Sequence, residues 1–136
     1  MKHFILAILL VFTSVLTYAQ SAPEKANAII ITMPDSATLN DKITKVLTSK
    51  DYTVNKGKAP ILFTTSAKTL KNNTRVVLNV QTKGADIILT GVIAIAGQAG
   101  MKIENKGAKG TPLMIAWEEM DKVAKAFGGK LKYETK

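Results

Sequence analysis

The chain has no cysteine, and its single histidine, His3, stands at the third position. No disulfide can staple the fold, so its stability rests on a packed core. Thiolate nucleophiles and cysteine-based metal sites are excluded by the same absence. A Ser–His–Asp triad or a zinc site built on imidazoles would have only His3 to draw on. Arginine is almost as scarce: Arg75 is the sole guanidinium among 19 basic residues. Aromatic residues make up 6% of the chain and are not interleaved with a basic cluster. Specific nucleic-acid recognition leans on arginine forks and stacking platforms, and the sequence offers neither. The phosphate-cradling patterns G-x-x-x-x-G-K-[ST] and G-x-G-x-x-G are also absent, so Lys109 beside a helix N-terminus is the weak remnant of an anion site.

What is present begins with an address. Met1-Lys2-His3 is a short basic start, Phe4 to Leu16 an apolar run, and Thr17 and Ala19 place small residues just before Gln20. This is the layout of a secretory signal peptide cleaved after Ala19. The run is shorter than the ~20 residues that span a bilayer, which favours removal over anchoring. The hydroxyl-rich cleavage region followed by glutamine resembles signal peptides of Gram-negative envelope proteins, and no cysteine exists to carry a lipid. The expectation is a periplasmic or secreted product, residues 20–136 forming a single domain with no transmembrane segment and no histidine. The formal net charge of the whole chain is +9, lowered by one when Lys2 leaves. It is carried by lysines scattered along the sequence, which predicts a solvated surface. Attraction to anionic envelope surfaces would then be non-specific and salt-sensitive.

The rest of the chain is arranged around Asn73 to Gly97. Val76, Leu78 and Val80 alternate with Val77, Asn79 and Gln81, the period-2 pattern of a half-buried strand. Asp86 to Ala96 is almost continuously apolar and isoleucine-rich, which suits a central strand. Lys83-Gly84-Ala85-Asp86 is the turn between them. Upstream, Ala26–Met33 predicts a strand, and Pro34 to Thr38 opens a helix with Asp35, Ser36 or Thr38 as its cap. Asp35-Ser36-Ala37 also matches a D-S/T-aliphatic tripeptide of bacterial O-glycosylation, although capping accounts for the same residues. Leu39, Ile43, Val46 and Leu47 recur at helical spacing. Tyr52–Val54 and Ile61–Thr65 read as short strands, with Ser66–Asn72 as a polar connection. The glycine-rich Gly97–Gly110 segment is a loop or a ragged extension of the sheet around Met101–Glu104. Thr111 with Pro112 starts a second helix, whose stripe is Leu113, Ala116, Trp117, Met120, Val123, Ala124 and Phe127. Gly128-Gly129 ends it, and Leu131–Glu134 is an edge strand or a tail.

This order predicts an α+β two-layer domain: an antiparallel sheet of about four to six strands with two helices packed on one face. No motif assembles a catalytic group. Glu118 and Glu119 are adjacent on a helix, so they point about 100° apart and cannot flank one substrate. Asp35, Asp41, Asp86 and Asp121 each have local explanations in caps and turns. No catalytic residue, cofactor or metal ligand is therefore assigned. The helix followed by Lys50–Val54 and Ile61–Thr65 resembles the small helix-grip domains of Gram-negative envelope lipoproteins, the BamC type among them. That resemblance implies a non-catalytic accessory or interaction module and carries no site residue with it.

Three readings remain: an interaction or envelope accessory domain, a binder of a small apolar or anionic ligand between the sheet and the last helix, and a carboxylate-dependent hydrolase. The first is preferred. In the central hairpin both alternating sets are apolar enough to be buried, yet two helices can cover only one. Giving the larger set, Ile87, Leu89, Gly91, Ile93 and Ile95, to the core leaves Ile88, Val92 and Ala94 beside Val77 on the far face. Val77, Ile88, Val92 and Ala94 are thus the candidate surface for a protein partner or self-association through the sheet.

Overall fold

The structure, a computed structural model, describes residues 22–95 and 100–136. The expected signal peptide at 1–19 and Ala96 lie outside the described residues. In chain order the elements are β1 (Ala28–Thr32), α1 (Leu39–Ser49), β2 (Val54–Lys56), β3 (Phe63–Thr65), β4 (Lys68–Thr69), a single 3₁₀ turn (Lys71–Asn73), β5 (Arg75–Lys83), β6 (Asp86–Ile93), β7 (Met101–Lys102), α2 (Pro112–Ala126) and β8 (Lys130–Glu134). All pairings are antiparallel, which makes this an α+β domain with an antiparallel sheet and two helices among the described residues.

The sheet has eight strands, more than the expected four to six. Six of them follow one another in the order β2-β3-β5-β6-β1-β8. The surplus comes from two short pieces. β5 is paired with β6 from Val76 to Lys83, so β4, which pairs Lys68 with Val76, shares the other side of β5 with β3. β7 likewise shares the outer side of β6 with β1. The expected polar connection Ser66–Asn72 therefore contains a strand, and the Gly97–Gly110 segment extends the sheet at Met101–Lys102.

The hairpin at the centre follows its sequence closely. Lys83 faces Asp86 across a two-residue loop, and Gly84 takes φ +60° there, a conformation glycine reaches without steric cost. On one face Val76, Leu78, Val80, Ile87 and Leu89 are fully buried, and Ile93 nearly so. Ile95, expected with this set, is instead 36% exposed, and lies beyond the end of β6 at Ile93. Gly91 occupies the middle of the buried row. A Cβ there would stand 2.7 Å from Ile103 Cδ1 and 2.9 Å from the Val77 carbonyl oxygen. Ile103, fully buried, fills the space glycine leaves, and its N–H donates to the Gly91 carbonyl at 3.0 Å.

Both helices contribute to one core with this face. Leu39, Ile43, Val46 and Leu47 of α1 are buried, as are Ala116, Trp117, Met120, Val123 and Ala124 of α2 and Phe127 just after it. Burial of each large aliphatic side chain contributes roughly 1.5–3 kcal/mol, which is how a cysteine-free chain of this size holds together. The expected side-chain caps do not form. Thr38 has φ 57° and makes no cap bond, while Asp35 Oδ1 accepts from the Ala37 N–H at 2.9 Å in a turn ahead of the helix. Thr111 turns its hydroxyl back to donate to the Ala108 carbonyl at 2.7 Å. No described helix is long and apolar enough to cross a membrane.

Candidate functional surface

Two polar clusters tie the helix layer to the sheet. The Tyr52 hydroxyl donates to Glu119 Oε2 at 2.7 Å. Lys68 Nζ donates to the same oxygen at 3.1 Å and to the Lys50 carbonyl at 2.8 Å, and sits 4.7 Å above the Tyr52 ring. The cluster joins β4, the end of α1 and the middle of α2. The second is smaller: the Tyr133 hydroxyl donates to Asp121 Oδ1 at 2.7 Å, and Lys125 pairs with Asp121 Oδ2 at 2.8 Å. Glu119 and Asp121 thus have long-range partners that local sequence explanations did not include.

In both clusters a tyrosine hydroxyl is held on a carboxylate. Burial, then the hydrogen bond to Glu119 and its charge, push the Tyr52 phenol far above the ordinary tyrosine value of 10. Burial and Asp121 act the same way on Tyr133. Glu118 is exposed and Glu119 half-buried, yet both line one cleft with Lys71 and Lys122, contrary to the expectation that adjacent glutamates could not share a site.

The clefts beside these clusters are open and shallow. One of about 450 Å³ is lined by Thr69, Leu70, Lys71, Ile115, Glu118, Glu119 and Lys122. Another of about 410 Å³ runs from Met101 to Leu113. Neither reaches Trp117 or Phe127, which are 4% and 1% exposed inside the core. Trp117 meets Tyr133 with ring centroids 6.0 Å apart at a tilt of 51°, an ordinary packing contact for aromatic rings. The space between the sheet and α2 is filled by core side chains.

The opposite face of the sheet is different. Val77, Ile88, Val92 and Ala94 all lie there, each partly exposed. Register brings Val77 opposite Val92 in adjacent strands, and the Ala94 N–H donates to the Arg75 carbonyl one step further at 2.8 Å. Ile88 lies on the other side of a polar row made by Thr64, Asn79 and Thr90. It pairs with Ile30 of β1, itself partly exposed. The four predicted residues thus share one face but form two aliphatic patches rather than a single strip. Thr64 donates its hydroxyl to Asn79 Oδ1 at 2.8 Å in the intervening row.

Ile30 is the member that sequence reasoning missed. The run Ile29-Ile30-Ile31 carries no alternation of its own, yet burial of Ile29 and Ile31 must turn Ile30 outward. The described part of the Gly97–Gly110 segment borders this face: Ile103 turns into the core, while Lys102 pairs with Val92 and Gly100 lies against the Val92 side chain. At the margin stand Arg75, Lys83, Lys102, Lys130 and Lys132, all exposed. Lys83, Asp86, Thr32 and Lys130 form one row across four strands, in which the Thr32 hydroxyl donates to Asp86 Oδ1 at 2.7 Å. No known protein family matches this chain, and neither a curated protein nor a solved structure is significantly similar to it.

Proposed function

We propose that this chain is an exported, non-catalytic interaction domain of the cell envelope, and that a protein partner docks on the open face of its sheet. The observation that carries the reading is the partial exposure of Ile30, Val77, Ile88, Val92 and Ala94 on the face of the sheet turned away from both helices. Cross-strand packing uses part of these aliphatic side chains, and an interface would bury the rest. Both carboxylates at the helix–sheet seam are engaged by tyrosine hydroxyls and lysines. The signal-peptide pattern at 1–19 supports export, and the helix-grip resemblance supports an accessory role.

The test is capture from the envelope fraction of the cells that make the protein. The exported chain should begin at Gln20 by intact mass, and it should retain a partner that rebinds after purification. The double substitution Ile88→Ser with Val92→Ser should weaken rebinding by about tenfold or more while leaving the thermal midpoint close to wild type. Equal rebinding by wild type and variant would remove the open face from the reading.

A further inference from the structure

One motif of the sequence is absorbed by neither the fold nor the proposed function. Asp35-Ser36-Ala37 matches the D-S/T-aliphatic acceptor tripeptide of bacterial O-glycosylation, and helix capping is the competing explanation for the same residues. The structure removes that competitor. Helix α1 begins at Leu39, and Thr38 before it lies in the left-handed region at φ 57° and makes no side-chain cap bond. Ser36 stands two residues further out, and its hydroxyl takes part in no hydrogen bond among the described residues. Many other hydroxyls are tied down: Thr32 donates to Asp86, Thr44 and Ser49 to carbonyls of their own helix, Thr64 to Asn79. Ser36 is also the only serine or threonine in the chain that directly follows an aspartate.

The surroundings of Ser36 suit an acceptor. Every residue from Pro34 to Thr38 is exposed, between the buried Met33 and the buried Leu39. The Asp35 carboxylate accepts from the Ala37 N–H at 2.9 Å, closing an Asx turn with Ser36 at its middle. A transferase that reads the tripeptide reaches all three residues on the folded domain, and a bulky sugar there displaces no packed side chain. Resting on the export reading and not on the open sheet face, we infer that Ser36 is an O-glycosylation site that takes its sugar from a diphosphate-activated donor. In the transfer Ser36 Oγ forms a bond to the anomeric carbon of the sugar. The bond from that carbon to the donor's phosphate oxygen breaks, and its electron pair leaves on the diphosphate. The hydroxyl proton passes to a basic group of the transferase.

The test is the intact mass of the chain recovered from the envelope fraction of the cells that make it, followed by electron-transfer fragmentation, which keeps sugars on their residues. The expected chain begins at Gln20, carries a mass excess made of whole sugar residues, and places that excess on Ser36. Ser36→Ala and, separately, Asp35→Ala should each lose the excess completely, while Ser36→Thr should keep it. Because these residues are exposed and cap nothing, all three variants should hold the thermal midpoint within about 3 °C of wild type. Loss of the sugar is then not loss of the fold. A chain that begins at Gln20 and has the mass of its sequence alone would overturn the inference and leave export standing. A chain that keeps residues 1–19 and has no sugar would remove both. An excess that survives Ser36→Ala, or one that is a phosphate and not a sugar, would overturn the inference as well.

Discussion

The two faces of the sheet are built from the same strands and much the same residue types, yet they have different fates. Val76 is fully buried and Val77, its neighbour, is partly exposed. Ile87 and Leu89 lie in the core, while Ile88 between them looks outward. On the covered face the aliphatic row is continuous, and its one gap, at Gly91, is filled by Ile103 from another segment. On the open face the aliphatic residues are divided by Thr64, Asn79 and Thr90 and bordered by lysines. The contrast teaches that apolar character alone does not mark a core. Close packing against a second layer does.

The comparison breaks most visibly if the helix layer is damaged. Trp117→Ala removes the largest side chain α2 gives to the core and should cost ~3–5 kcal/mol, read as a sharply lower denaturant midpoint. Stability near wild type would mean that the covered face does not depend on its aromatic packing.

A finer version puts the same substitution on adjacent residues. Val76→Thr places a hydroxyl in the core and should cost roughly 1–3 kcal/mol. Val77→Thr places it where water reaches and should change stability by about 0.5 kcal/mol or less. Equal costs from urea unfolding would show that the far face is packed after all.

The smallest effect concerns the seam between sheet and helices at high pH. Tyr52 holds its proton more tightly in the folded state than in the unfolded chain, first through burial and then through Glu119. A folded pKa raised in this way gives stability that is complete below pH 10 and is lost as pH rises beyond it, because the unfolded state then binds fewer protons. Tyr52→Phe lacks this contribution. Its thermal midpoint should fall less steeply above pH 10 than that of wild type, whereas the lysines titrate in both proteins. Parallel alkaline limbs would show that the Tyr52–Glu119 bond contributes nothing across that range.

Much of this architecture can be read before any coordinates. The alternation in Val76–Gln81, the helical stripes Leu39–Leu47 and Leu113–Phe127, and the Gly84 turn all follow from local periodicity and turn chemistry, and the structure has each of them. β4 was not legible and β7 only as one of two alternatives for its segment, because a two-residue strand leaves no period to detect and exists only where a longer strand offers free edge groups. The expected caps failed for a similar reason: Thr38 and Thr111 have suitable side chains, but backbone conformation and a competing carbonyl decided where their hydroxyls went. The candidate surface was legible in its members Val77, Ile88, Val92 and Ala94, though not in its division by a polar row. That division depends on which residues of β3, β5 and β6 stand side by side, and register between strands is not written in any one of them.

By itself, then, the sequence determined the class of fold, the central hairpin, both helical stripes and the loss of all thiol and nearly all imidazole chemistry. These rest on interactions within a few residues and on composition, which need no knowledge of neighbours in space. Tertiary structure alone decided that Glu119 serves Tyr52 and Lys68, and that Ile30 joins Ile88. Each of these joins residues far apart in the chain, and only the packed sheet brings them within reach of one another.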